Sequence, residues 1–342
     1  MSTLAEVARR AGVTTATVSN VLRNKGRVSA GTRERVLAIV SELGYRPNLN
    51  ARALVEGRPL TIALVVSSIA NPFYPEFAEA VELELRKHGY FLLVCNTNND
   101  PVQERAYLDA VGGSLAHGVL AMHTDHVQLD ELIALRRAGI PVVLSMWEQP
   151  DKHPELPCVA VNFYQAGVIA AEHLIALGHT RIGAIVGSER TGKHVWRYRG
   201  FCDAMKAAGI AVSSSATCYC DDTIDAGRRA AHSVLAANPN LTALFTSNDL
   251  PAFGALQAAA ALGLDVPGDL SVTGLTDIQL AHQFRPALTT VAVSTSEAAR
   301  LSVEMLLKVI KDGAEAPVDV WAAATPQLVV RDSTGAPRDA AA

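Results

Sequence analysis

The run Leu4-Ala5-Glu6-Val7-Ala8-Arg9-Arg10-Ala11-Gly12-Val13-Thr14-Thr15-Ala16-Thr17-Val18-Ser19-Asn20-Val21-Leu22 decides how the amino-terminal part of this 342-residue chain folds. Leu4, Val7, Ala8 and Ala11 recur at helical spacing, with Thr3 placed to cap the first turn and Gly12 to end the last. Thr14 can cap a second helix through Thr15 to Leu22, whose Val18, Val21 and Leu22 face inward. A third helix from about Thr32 to Leu43 buries Val36, Ile39, Val40 and Leu43, and Gly44 stops it. Three short helices with a glycine in the first turn make a helix-turn-helix. Small side chains, all but Ala16 able to hydrogen-bond, crowd the start of the second helix: Thr14, Thr15, Ala16, Thr17, Ser19 and Asn20. Asn can read adenine through two hydrogen bonds, and Thr and Ala methyls can meet the thymine methyl. A three-helix module with no DNA role remains the alternative on this pattern alone.

The charge distribution bears on that choice. Residues 1–60 hold ten Lys or Arg against four acids, a balance of +6, which leaves −10 for residues 61–342 out of the overall −4. A basic head on an acidic body implies a polyanionic partner for the head alone. With 49% apolar and 19% charged residues, the chain is globular and not a disordered tail protein. Its length implies about two to three domains. The longest strand-like apolar runs, such as Ile62 to Val66, are far too short to span a bilayer. The start lacks the basic and apolar regions of a signal peptide, so a cytoplasmic protein with no membrane partner is expected. Five cysteines without a C-x-x-C give neither a disulfide framework nor a zinc site, and reduced structural thiols are expected.

From Thr61 onward, apolar runs alternate with helical patterns. Ile62–Val66, Phe91–Val94, Gly118–Ala121 and Val142–Leu144 read as strands, with helices near 75–88, 101–112 and 127–138. The theme repeats with strands near Arg181–Val186, Ala216–Cys220, Thr242–Phe245 and Leu270–Thr273, and helices near 164–177, 197–208, 223–237 and 249–262. Nearly continuous apolar strands joined by helices imply parallel sheets covered on both faces, here in two similar α/β lobes. Ligands of such sheets bind beyond the carboxyl ends of the strands. That rule selects the loops 67–74, 122–125, 146–148, 187–194, 247–249 and 275–277, which mix aromatic rings with hydrogen-bonding side chains suited to a small polar ligand.

The head, continued by Arg27-Val28-Ser29, Thr32-Arg33-Glu34-Arg35-Val36 and Leu43-Gly44-Tyr45-Arg46-Pro47-Asn48, resembles the DNA-binding head of the lactose/galactose repressor family. The body resembles that family's periplasmic-binding-protein-like type I core of two Rossmann-like lobes. The segments that carry this second likeness are Asn71-Pro72-Phe73-Tyr74, Gly139 to Leu144, Leu177 to Ile182, Arg197-Tyr198-Arg199-Gly200-Phe201, Ser247-Asn248-Asp249, Val266 to Val272 and Pro286 to Val291. Together they cover about residues 3–332. The resemblance implies base reading by Thr15 and Ala16 with Asn20 beside them, Arg27 near the DNA backbone, and a hinge at 47–60 whose Leu54 wedges into the minor groove. An apolar wedge of that kind unstacks a base step and bends the duplex. It also implies effector contacts at Phe73, Tyr74, Arg197 and Asn248; the strand-end loops add Ser67, Asn71, Met146, Trp147, Thr191, Thr276 and Asp277, and Phe163 is expected with them. Domains are expected at 1–46, 47–60 and 61–332, with lobe one about 61–161 and 292–320, lobe two about 162–291 and 321–332, and a disordered tail at 333–342.

Two departures stand out. Sugar-binding members carry Asp-Arg where this chain has Met146-Trp147, and Asp-Asp where it has Thr276-Asp277. Losing carboxylates removes acceptors for sugar hydroxyls, which implies an effector less hydroxyl-rich, more aromatic, or bound differently. Gly187 to His194 fits G-x-x-x-x-G-K, but His194 stands where a phosphate loop needs Ser or Thr for magnesium. The histidines are scattered, and neither a metal nor a cofactor is implied. The reading is therefore a non-enzymatic, ligand-responsive DNA-binding regulator, a repressor on a pseudo-palindromic operator, acting as a homodimer and switched by a small metabolite of the sugar class. The alternative is a solute-binding or enzymatic core fused to a DNA-binding head.

Overall fold

Helices α1 (Leu4–Ala11) and α2 (Thr15–Leu22) form where the apolar spacing places them, and α3 (Ala30–Glu42) starts two residues before the expected Thr32. Its earlier start follows from Ser29, whose hydroxyl caps the helix by accepting the Thr32 N–H. Thr3 caps α1 in the same way, and Gly12 ends it in the left-handed region that glycine adopts without strain. Val7, Ala8, Ala11, Val18, Val21 and Val36 close into one small core, with Ile39, Val40 and Leu43 at its edge. The computed structural model describes residues 3–22, 24–46, 60–122, 129–148, 154–187, 194–313 and 316–338. It divides into two units, Met1–Leu60 and Thr61–Ala342. The expected hinge, Leu54 included, lies outside the described residues except for Leu60.

The second unit contains two six-stranded sheets. The first is built from β1 (Thr61–Val66), β2 (Phe91–Asn96), β3 (Val119–Met122), β4 (Val142–Trp147), β5 (Cys158–Ala160) and β11 (Val320–Ala322), in the order β11-β5-β4-β3-β1-β2. The second holds β6 (Ile182–Gly187), β7 (Thr217–Cys220), β8 (Ala243–Thr246), β9 (Ser271–Thr276), β10 (Thr289–Ala292) and β12 (Gln327–Val329), in the order β12-β10-β9-β8-β6-β7. Every ladder is parallel except β10 with β12. Strands β4 and β6 are buried at all six positions, as the unbroken apolar runs require of strands covered on both faces.

Helices α4 (Phe73–Lys87), α5 (Pro101–Ala110) and α6 (Leu129–Arg137) serve the first sheet. Helices α7 (Phe163–Ala176), α8 (Val195–Ala207), α9 (Ile224–Ala237) and α10 (Asp249–Ala261) serve the second. After β10 the chain returns as α11 (Thr295–Asp312), which packs on α4, β3, β4 and β5; it then adds β11 to the first sheet and β12 to the second. Strand β11 keeps the chain in the first sheet through Ala322.

The expected disordered tail is corrected for residues 333–338. Ser333 is fully buried, donates to the Val272 carbonyl and accepts the Thr289 N–H, while Val272 N–H donates to the Ser333 carbonyl. Gly335 exchanges hydrogen bonds with the Ser271 hydroxyl, and Arg338 pairs with Asp269. A short polar segment with no apolar periodicity gives no local sign of this. Its partners, on strands β9 and β10, are donors and acceptors more than forty residues away in sequence.

Candidate functional site

In the head, Thr14, Thr15 and Ala16 are exposed, Thr17, Ser19 and Asn20 are half-buried, and Val18 and Val21 point into the core. One face of α2 is thus left outward. The Thr14 hydroxyl accepts the Thr17 N–H at 3.1 Å and lies 3.0 Å from the Thr17 hydroxyl, so these two close the helix start. Several of the head's cations are already engaged. Arg9 pairs with Glu6 and, through its hydrogen bonds first, holds that carboxyl below its ordinary pKa; Arg10 pairs with Glu42, and Arg35 donates to the Ala11 carbonyl. Lys25, Arg27 and Arg46 are exposed and form no ion pair among the described residues. Lys25 is thus a further exposed cation of the head, one that the reading of the motif passed over.

In the second unit, the carboxyl ends of β1, β4, β6, β7 and β8 assemble a polar network. Arg197, 3% exposed in the first turn of α8, donates through Nη1 to the Ser247 carbonyl and through Nη2 to Glu148 Oε1, each at 2.9 Å. Its guanidinium lies 4.0 Å from the centroid of the Phe163 ring. His194 Nδ1 is 2.9 Å from Ser247 Oγ, and His194 Nε2 is 3.3 Å from Asp222 Oδ2. Ser247 Oγ also accepts the Gly187 N–H at 3.0 Å; an ionised Asp222 can only accept, so a neutral ring paired with it donates from Nε2 and takes the Ser247 hydroxyl at Nδ1. Tyr74 faces this group. Burial pushes its phenol up to about 12, with Asp222 and Glu148 adding to the rise and the neighbouring Ser67 and Arg197 opposing it.

Glu148 follows β4 of the first lobe and Arg197 belongs to the second, so this ion pair bridges the lobes. A second bridge is the Gln279 N–H donating to Glu76 Oε1 on α4 at 2.9 Å. Burial raises the Glu76 carboxyl above its ordinary value, and the neighbouring carboxylates Asp249, Asp277 and Glu79 add to the rise. Met146, His194, Thr276 and Asp277 all have positive φ. Such strain on non-glycine residues gathers where a surrounding structure holds a site in place.

The structure sorts the expected effector residues. Ser67, Tyr74, Phe163 and Arg197 come together. Phe73 packs in the core edge-on to Tyr74, at 5.8 Å between ring centroids. Asn71 accepts the Phe73 N–H in the turn that leads into α4, and Asn248 caps α10 by accepting the Leu250 N–H, so both side chains have local structural roles. Met146 packs in the same core as Phe73. Trp147 is corrected, for successive strand residues point to opposite faces and its ring lies in the other core cluster, among Leu132, Leu144 and Leu156. The Thr276 hydroxyl donates to the fully buried Asp249, and Asp277 pairs with Arg331 at 2.7 Å. Thr191 lies outside the described residues.

Of this network, Glu148, His194 and Ser247 lie in the loops that the strand-end rule selected but were not singled out, and Asp222 was passed over altogether. Asp222 follows β7, so the strand-end rule applied to that strand finds it. Glu148 and Asp222 supply two carboxylates beside Arg197 and His194, at positions other than the two that lost them. A concavity of about 510 Å³ lined by Arg181, Leu241, Leu262 and Arg338 lies on the second lobe and shares no residue with this network. Among the described residues no cluster of three His, Cys, Asp or Glu could hold a metal ion, and no helix is long and apolar enough to cross a membrane.

Residues 3–48 match the family model for bacterial regulatory proteins of the lacI family, and residues 171–334 match that for a periplasmic binding protein-like domain. The HTH-type transcriptional repressor PurR of Pectobacterium carotovorum subsp. carotovorum (strain PC1) is 36% identical over 310 residues, covering 90% of each chain. A lac repressor dimer bound to operator and the anti-inducer ONPF superposes with a TM-score of 0.84 at 25% identity, over 98% of this chain and 99% of that one. The transcriptional regulator CelR in complex with cellobiose superposes with a TM-score of 0.72 at 29% identity, over 97% and 100%. The likeness thus runs along nearly the whole length of these proteins. The chain belongs to the lacI family of bacterial regulatory proteins and is a ligand-responsive, DNA-binding transcriptional repressor.

Proposed function

We propose that this chain acts in the cytoplasm as a homodimer without catalytic activity, and that a sugar or sugar derivative in the cleft sets its affinity for a pseudo-palindromic operator. Each head (1–46) reads one half-site through Thr15, Ala16 and Asn20, with Arg27 and Lys25 on phosphates. The 47–60 segment serves as hinge and Leu54 as wedge. The observation that carries this reading is the Arg197 network. One buried guanidinium contacts both lobes, so a ligand engaging it changes the free energy of one lobe arrangement relative to another. Exposed Leu83, Phe91, Val94 and Val102 on and beside the edge strand β2 support a second copy as the covering partner.

Ser247, His194 and Asp222 stand in hydrogen-bond sequence, which raises an enzymatic reading. It is disfavoured because Ser247 is fully buried and its oxygen already accepts a backbone N–H. The test is selection of bound duplexes from a random pool by the purified protein at stated salt. Enrichment of a two-fold-symmetric site is expected. Failure to enrich any site, with and without a metabolite extract, would remove the regulator reading.

A further inference from the structure

The concavity of about 510 Å³ on the second lobe lies at the other end of the strands from the cleft, since Arg181, Thr242 and Asp269 in its wall come just before β6, β8 and β9. Much of its lining is apolar: Leu235 of α9, Leu241, and Leu262 and Leu264 just past α10. Leu262 is 39% exposed, so part of this apolar surface is left open to solvent. The wall is braced from behind, where His179 Nδ1 lies 2.9 Å from the Thr242 hydroxyl and Nε2 meets Ser271 and Gly335.

The charges of this lining are unequally used. Asp269 is engaged on both oxygens, Oδ1 by Arg338 and Oδ2 by the Asp265 N–H at 2.9 Å. Arg181 donates through Nε to the Asn240 carbonyl at 2.7 Å, and its Nη groups have no partner among the described residues. That single anchor fixes the guanidinium plane and leaves its Nη edge as a fork that matches a carboxylate. A fork held in place beforehand loses less freedom on binding. Two arginines against one aspartate make the lining net positive in an otherwise acidic body. Helix carboxyl ends repel anions, and α9 and α10 both end nearby. Their last carbonyls are already engaged: Val234 and Leu235 accept the Asn238 N–H, and Ala258, Ala259 and Ala260 accept from Leu262, Leu264 and Gly263.

We infer that this concavity is a second ligand site, separate from the cleft, for a small monocarboxylate with an apolar body. The ring or alkyl chain lies on the leucines and the carboxylate spans the Nη edge of Arg181. The volume falls within the range of about 300–1,000 Å³ usual for small-molecule sites. A sugar is a poor fit, because the leucines offer its hydroxyls nothing. A dicarboxylate gains little over a monocarboxylate, because Arg338 is already paired.

Octanoate and phenylacetate are the probes, octanamide and phenylacetamide their uncharged counterparts, and acetate the carboxylate without a body. Titration calorimetry on the full-length protein should show saturable binding of at least one acid at about 1 mM or tighter, with its amide and acetate at least about tenfold weaker. Arg181→Met keeps the apolar stem and removes the fork, and Leu262→Glu sets a negative charge on an exposed position of the lining. Each should weaken the acid at least about tenfold. Unfolding curves identify a variant that fails to fold, in which case the other decides. No saturable binding of either acid, equal binding of acid and amide, or binding undiminished in either folded variant would each overturn the inference. None of these readouts depends on the cleft effector or on the operator, so the outcome is independent of the function proposed above.

Discussion

His179 shows how much one buried ring can organise. It is 1% exposed, with Nδ1 2.9 Å from the Thr242 hydroxyl and Nε2 within 3.0 Å of both the Ser271 hydroxyl and the Gly335 carbonyl. It therefore joins the α7–β6 connection to β9 and to the carboxyl-terminal segment. Desolvation, first among the causes, lowers its pKa, with His173 and Arg181 adding and the Gly335 carbonyl opposing. Because the folded-state value lies below the unfolded value of about 6.5, the unfolded chain binds the proton more readily. The neutral ring's contribution is complete above the unfolded value and is lost as pH falls through the lower native one. Urea unfolding at neutral and at mildly acid pH should show His179→Gln with a smaller acid-induced loss of stability than the parent chain. Equal losses would show that this ring does not report on folding.

At the scale of elements, two glycines decide where Arg197 sits. A Cβ on Gly167 of α7 would fall on the Arg197 carbonyl oxygen, and a Cβ on Gly200 of α8 would fall on the Tyr164 carbonyl oxygen. The two helices touch backbone to backbone, which is what brings Phe163 under the guanidinium. Gly200→Ala must push them apart and should destabilise the core by about 1–3 kcal/mol or more, a cost typical of overpacking. Denaturant midpoints would measure it. The same variant should weaken the effector response, because Arg197 moves with α8. The pair Gly227 and Gly254 joins α9 to α10 by the same kind of close approach.

For the whole molecule, the first lobe leaves an edge strand open, with Phe91 53% exposed and Val94 40% exposed. A homodimer that covers this edge puts two heads on one operator and makes the second head's binding intramolecular. Phe91→Lys with Val94→Lys should yield monomers in sedimentation at concentrations where the parent chain is dimeric. Operator affinity should fall by roughly 100- to 10,000-fold, the usual loss when two linked contacts become one. An unchanged sedimentation coefficient would place the interface on another surface. The charge division between head and body acts at this scale too, since a basic head is drawn to DNA while the acidic body is repelled by it.

Much of this architecture is written locally. Thr3, Gly12 and the spacing of Leu4, Val7, Ala8 and Ala11 specify a helix within one short segment, and the unbroken runs at β4 and β6 specify strands covered on both faces. The two-lobe reading and the outward face of α2 follow from such periodicities. Short strands such as β5, β11 and β12 escape because three residues hold no period. The site was half legible: Tyr74 and Arg197 could be placed by strand-end loops and resemblance, but Glu148 was only one residue of a selected loop and Asp222 lay in none. Their role exists only because the fold sets Glu148 against a guanidinium 49 residues away and Asp222 against His194. The carboxyl-terminal segment is the same case, since its order comes from hydrogen bonds to strands far back in the chain. The sequence by itself determined the elements and their order, through caps and hydrophobic periods that act over a few residues. Only the tertiary structure decided which charges meet, because such pairings depend on distances that no local pattern encodes.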